Sequence, residues 1–98
     1  MRFRFVNKQL QALSTDETGA EQYERSVVKG FFRVMAIIRS ARDTRDFYGL
    51  KSLHYEKLSG DRAGQHSFRL NKQWRLIVRI EQGEEGPEVA IIEIVDYH

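Results

Sequence analysis

The chain has no cysteine, a single proline, and no apolar run longer than Val34–Ile38. Without cysteine there is no disulfide, no thiolate zinc site and no thiol nucleophile. An apolar run that short falls far below the ~20 residues a membrane-spanning helix requires. Met1–Lys8 is basic but lacks the apolar stretch of a secretory signal, so a soluble intracellular protein is expected. Lysine and arginine are missing from residues 80–98 altogether.

What is present is enough for one core. The 98 residues are 41% apolar, 31% charged and 11% aromatic, a globular composition rather than a disordered one. A single domain over residues 1–98 is expected, burying roughly 60–65% of its unfolded surface and therefore of modest stability.

The net charge of +2 hides a segregation. Residues 1–79 carry all 16 basic residues against 8 acidic ones, a balance of +8, and residues 80–98 carry six acidic residues, a balance of −6. A basic body is a candidate surface for a polyanion, although a solvated surface would look the same.

Read for periodicity, the chain divides into helices and then strands. Arg2–Val6 alternates basic and apolar residues as a short strand does. Asn7 can cap a helix over Lys8–Leu13. Thr18-Gly-Ala-Glu21 fits a capping box that would open a long helix ending near Ala41. Tyr23, Val27, Phe31, Val34, Met35 and Ile38 form its apolar stripe, with Arg25, Lys29 and Arg33 as a basic row alongside. Gly30, inside this helix, costs about 1 kcal/mol relative to alanine and implies close packing. Thr44–Gly49 reads as one further helical turn. Strands are expected over Leu53–Leu58, Gln65–Leu70, Trp74–Glu81 and Val89–Val95, with loops at Ser59–Gly64 and Gly83–Pro87. The fold class is α+β: a small antiparallel-rich sheet with two N-terminal helices packed on one face.

Strand phase sharpens the charge argument. His66, Phe68 and Leu70 share one face, and Ser67 and Arg69 the other; Trp74, Leu76, Val78 and Ile80 alternate with Arg75, Ile77 and Arg79. Aligning the apolar faces requires a three-residue connection or a bulge, since the alternative slip would bury Arg69. That register sets Arg69 beside Arg75, with Arg79 further along. Directly opposed like charges destabilise a sheet, so the cluster suggests an anion between them, phosphate above all. On the last strand Ala90, Ile92 and Ile94 share one face and Val89, Ile91 and Val95 the other, which marks it as an interior strand, with Asp96 and His98 on one side of its end. His54, His66 and His98 lack the spacings of a zinc motif. His66 reads as a structural side chain. His98, near an arginine cluster, is of the type that RNA phosphodiester chemistry needs.

Three segments carry a resemblance: Gly60-Asp61-Arg62-Ala63-Gly64-Gln65-His66-Ser67, Trp74-Arg75-Leu76-Ile77, and Glu93-Ile94-Val95-Asp96-Tyr97-His98. With the element order, they resemble the HigB-type toxins of the RelE/ParE toxin–antitoxin superfamily over nearly the whole chain. The resemblance implies a RelE-like fold and a ribosome-dependent endoribonuclease that cuts translated mRNA without a metal or other cofactor. In the implied chemistry the ribose 2′-hydroxyl attacks the neighbouring phosphate and leaves a cyclic phosphate. It also implies silencing by a cognate antitoxin of helix-turn-helix type. The 70S ribosome and mRNA are the other implied partners; operator DNA is reached only through the antitoxin complex, and no membrane is involved.

Carried over by position, Arg75 would hold the scissile phosphate, Tyr97 would stack on or orient the nucleotide, and His98 and Asp96 would serve proton transfer. Strand phase rather than the resemblance adds Arg69 and Arg79 to an RNA-binding surface that also takes in Arg62, Lys57 and Glu56, and Arg25, Lys29 and Arg33 would meet ribosomal RNA backbone. The family places a histidine four residues before the turn glycine and a lysine immediately before it. Here Glu56 and Ser59 stand there, with His54 two residues earlier and Lys57 three before Gly60. Three alternatives stay open: His54 and Lys57 fill the roles through a shifted strand, Glu56 is the base, or the site is weaker. Two other functions compete: a ParE-like gyrase inhibitor acting by binding, and a non-catalytic nucleic-acid-binding module.

Overall fold

The computed structural model describes residues 1–96. It begins with β1 (Arg2–Phe5), α1 (Lys8–Asp16), α2 (Arg25–Ser40) and α3 (Arg45–Tyr48). β2 (Glu56–Lys57), β3 (Gln65–Arg69), β4 (Trp74–Gly83) and β5 (Gly86–Asp96) follow. The strands make one sheet in the order β1-β5-β4-β3-β2. All neighbours are antiparallel except β1, which runs parallel to β5. The expected α+β class therefore holds, and β5 is interior, flanked on both sides.

The stripe on α2 builds the core. Val27, Phe31, Val34, Met35 and Ile38 are buried with Leu10 and Leu13 of α1 against Phe68, Leu76, Val78, Val89 and Ile91 of the sheet. Each such side chain contributes about 1.5–3 kcal/mol by leaving water, which holds both helices to one sheet face. The Asn7 side chain caps α1, accepting from the Gln9 and Leu10 amides at 2.9 and 3.2 Å. The helix runs on past the expected end at Leu13 to Asp16.

Three expectations are corrected. The Thr18–Glu21 capping box does not form, and α2 starts only at Arg25. Asp16 takes the Thr18 hydroxyl and amide, at 2.5 and 3.1 Å, so Thr18 is drawn back towards α1 and Ala20–Gln22 forms a short 3-10 turn. The expected strand over Leu53–Leu58 shrinks to Glu56–Lys57, because Lys51–Leu53 forms another 3-10 turn that His54 ends in the left-handed region, at φ 43°. The β4–β5 hairpin is longer than expected: Gly83 pairs with Gly86, leaving only Glu84 and Glu85 in the turn.

The hairpin also contains a bulge. Ile77 pairs with Glu93, but Val78 pairs with Ile91, so Ile92 is left between two frames. Val89, Ile91 and Ile94 therefore all face the core, and Ala90, Glu93 and Val95 share the opposite face. The even alternation expected along this strand breaks at that one residue.

Gly30 explains how α2 sits so close to the sheet. A Cβ built there would lie 2.1 Å from the Leu70 carbonyl oxygen and 2.7 Å from its carbon, so helix and hairpin corner meet backbone to backbone. Under β2 and β3 the core is aromatic. Phe47 packs edge-on to Phe68 with centroids 4.9 Å apart, and Tyr55 lies 4.8 Å from Phe68 and stacks flat on His66 at 5.1 Å. The Tyr55 hydroxyl and His66 Nδ1 are buried without a hydrogen-bond partner among the described residues. Burial raises the Tyr55 phenol above its ordinary pKa. Burial, and secondarily Lys57, lowers that of His66.

Two outcomes follow. Alanine ordinarily stabilises an exposed helix position relative to glycine by about 1 kcal/mol. Gly30→Ala should instead destabilise the fold by about 2 kcal/mol, because backbone must move to admit the methyl group; urea unfolding measures the sign. The His66 effect is read by pH. The unfolded chain takes up this proton near pH 6.5 and the folded chain only at lower pH, so stability should decline as pH falls through about 6.5 and level off below the folded value. His66→Phe keeps the stack and should flatten that part of the curve. An unchanged slope in the variant would assign the acid sensitivity elsewhere.

Candidate functional site

The β3–β4 connection decides which charged groups meet. Leu70 and Trp74 close it through the Leu70 amide and the Trp74 carbonyl at 2.9 Å, with Asn71, Lys72 and Gln73 between them. Asn71 Oδ1 accepts from the Gln73 and Trp74 amides at 2.9 and 2.7 Å, and its Nδ2 donates to Ser26 Oγ on α2 at 2.9 Å. This three-residue connection gives the register expected from phase: Phe68 opposite Leu76 and Arg69 opposite Arg75.

Arg75 sits at the middle of a small cluster on the face away from the helices. Its Nη1 donates to the His54 carbonyl at 2.9 Å and to Ser67 Oγ at 3.2 Å, and lies 3.4 Å from Glu56 Oε1. The Arg75 side chain is 19% exposed and that of Glu56 50%, so the arginine is the fixed member and the carboxylate the reachable one. Ser67 is fully buried beneath the pair. Arg69 is held from two sides, its Nε donating to the Asn71 carbonyl at 3.1 Å and its Nη1 lying 3.1 Å from His54 Nε2. A guanidinium can only donate, so His54 Nε2 is the acceptor in that contact. The left-handed backbone of His54 is what turns both its carbonyl and its ring towards the arginines.

The remaining expected residues divide. Arg62 donates through Nη1 to Gln65 Oε1 and Glu93 Oε2, both at 3.1 Å. Its turn is the glycine motif, with Gly60 and Gly64 at φ 64° and 88°, a region side chains disfavour. Arg79 and Arg4 both reach Glu81, at 3.0 and 2.8 Å, and these hydrogen bonds, Arg4 first, hold the Glu81 carboxyl below its ordinary pKa. Arg2 pairs with Glu85 at 2.7 Å. The acidic end is thus folded against the basic start. Lys57 stands opposite His66 in the ladder, so its register places it on the helix side, apart from Arg75. Glu56 stands opposite Ser67 and on the arginine face; His54, expected within the Leu53–Leu58 strand, precedes the strand instead. Asp96 pairs with Trp74, also on the helix side, and accepts from Gln73 Nε2 at 2.7 Å. Tyr97 and His98 lie outside the described residues.

Of the basic row, Lys29 and Arg33 line a depression together with Gly30 and Leu70, and Arg25 does not. Arg33 also borders a neighbouring cleft of about 460 Å³ with His54, Arg69 and Lys72. Ser67, Asn71 and Lys72 were not singled out from the sequence. A serine alternating with Phe68 and Arg69, and an asparagine in a tight connection, were the available signals. Among the described residues no cluster of three or more His, Asp or Glu side chains could hold a metal ion, and no helix is long and apolar enough to cross a membrane.

Comparison with known proteins gives the same architecture. The chain is similar in structure to a YoeB/ParE toxin from Agrobacterium tumefaciens, with a TM-score of 0.63 and 15% identity over the whole of both chains. It is also similar to a chain of the YoeB–YefM complex from Staphylococcus aureus, with a TM-score of 0.61 and 18% identity over 100% of this chain and 97% of that one. A mutant of YafQ from E. coli aligns with a TM-score of 0.62 and 10% identity, over 98% and 93% of the two chains. No curated protein sequence matches it. The family model that does match, over residues 3–98, describes a RelE-like toxin of the type II toxin–antitoxin system HigB, and to that HigB-like toxin family this chain belongs.

Proposed function

We propose that this toxin is a ribosome-dependent endoribonuclease that cuts translated mRNA through the cluster around Arg75. The observation that carries the reading is a fixed guanidinium with an accessible carboxylate, Glu56, 3.4 Å away and a second arginine across the ladder. Phosphodiester cleavage by an internal nucleophile needs cations against the charge developing on phosphorus, a base and an acid. Arg75 and Arg69 supply the cations. Glu56 supplies the base, displaced from Arg75 by the incoming phosphate and taking the proton of the ribose 2′-hydroxyl. His54, whose Nε2 already accepts from Arg69, holds that arginine in place.

The 2′-oxygen then bonds to phosphorus, the bond to the 5′-oxygen breaks, and that oxygen takes a proton. The products are a 2′,3′-cyclic phosphate and a free 5′-hydroxyl, with no metal in the step. The family resemblance assigns the last proton to His98 and the orientation of the nucleotide to Tyr97; Asp96 joins them through the strand end. A cognate antitoxin keeps the toxin silent, in line with the S. aureus relative, whose structure is a heterotetrameric YoeB–YefM toxin–antitoxin complex. That antitoxin is of helix-turn-helix type and is the only route to operator DNA.

Single-turnover cleavage of mRNA on translating ribosomes tests the assignment. Arg75→Ala and Glu56→Gln should each slow it by 10²–10⁴-fold, roughly the worth of one positioned group. Full-rate cleavage by both variants would remove the site. Intact mRNA together with inhibited gyrase supercoiling would replace the function itself.

A further inference from the structure

Two groups of basic residues contrast in this fold. On the open sheet face Arg2, Arg4, Arg62, Arg75 and Arg79 each lie beside a glutamate. At the corner between α2 and the β3–β4 connection, Lys29, Arg33, Arg69 and Lys72 line two adjoining depressions of about 240 and 460 Å³, and among the described residues none of the four is paired with a carboxylate. The two depressions share Arg33 and Leu70. Four cations gathered without a counter-charge repel one another, and an anion is what relieves that repulsion.

The corner is also built to keep its shape. Gly30 seats α2 directly on the Leu70 backbone, and Asn71 ties the connection to Ser26. Arg33 Nη2 donates to the Arg69 carbonyl at 3.4 Å, and Arg69 donates to that of Asn71. Two of the four cations are thus aimed by backbone oxygens, which cannot neutralise them. The larger depression is bordered by His54 and Arg69, the same two residues that flank Arg75, so it opens onto the proposed cleavage site. Its lining contains no Phe, Tyr or Trp ring, and its one imidazole, His54, is engaged with Arg69.

We infer that this corner is a second phosphate site, holding the mRNA phosphate adjacent to the one cleaved and gripping the strand by its backbone regardless of base. The inference rests on the nuclease reading, since it runs the strand from Arg75 into the cleft. Cations without a Phe, Tyr or Trp platform are suited to backbone positioning rather than to sequence readout.

The probe is a labelled single-stranded RNA, 2′-O-methylated throughout so that no cut is possible, titrated with the toxin at several salt concentrations. Lys29→Ala with Lys72→Ala removes two exposed side chains outside the cleavage site. The slope of log affinity against log salt should become shallower by about 0.7 for each lysine removed. Lys8→Ala with Arg42→Ala, the same charge loss elsewhere, should leave it unchanged. An unaltered slope in the corner variant, or an equal change in the control, overturns the inference. So does a corner variant that keeps its affinity for this RNA but loses affinity for vacant ribosomes, which would assign the corner to ribosomal RNA. If the unaltered toxin cuts no mRNA on ribosomes, the nuclease reading fails. The oligonucleotide slopes would still report whether the corner binds phosphate.

Discussion

One contact seats α2 on the sheet: the backbone-to-backbone approach of Gly30 in α2 and Leu70, just past β3. Much of the functional geometry depends on it. Because no side chain separates them, the polar edge of α2 comes down to the level of the β3–β4 connection, and Lys29 and Arg33 arrive next to Arg69 and Lys72. A helix held off by even one methyl group would leave the basic row facing solvent alone. Close packing thus converts a row on a helix and a pair on a hairpin into one concave surface.

The charges on the sheet follow a different logic. Glu81, Glu85 and Glu93 come from the acidic end of the chain, and they meet Arg2, Arg4, Arg62 and Arg79 from the basic part. The parallel placement of β1 beside β5 and the long β4–β5 hairpin bring these groups together. Exposed pairs of this kind are worth about 0–1 kcal/mol each, so their effect is on the field more than on stability. They pair off these cations of the sheet face, whereas among the described residues Lys29, Arg33, Arg69 and Lys72 meet no carboxylate at their corner. Charge segregation in sequence therefore does not become segregation in space.

Residues with a single strong local preference were legible in advance. Asn7 capped its helix, the α2 stripe became the core, and the need to keep Arg69 out of the interior fixed the β3–β4 register. Competition between local options was not legible. Thr18 had both Asp16 and its own helix to choose from, and the nearer carboxylate won. His54 read as a strand residue because β2 was expected to be long, yet a left-handed turn at His54 is what brings it to Arg69 and Arg75. Ser67 and Asn71 matter through what lies opposite or beneath them, which no run of sequence states. Lys57 falls on the face away from the arginines for the simplest reason, the two-residue period of a strand.

The bulge at Ile92 gives the last strand two independent settings. Its inner half, through Ile91, is clocked by the core; its outer half, from Glu93, obeys the opposite parity. Glu93 and Val95 can thus point away from the helices while Ile94 still packs opposite Leu76. In effect, one surplus residue keeps Glu93 out of the interior and sends it to Arg62 without a break in the core.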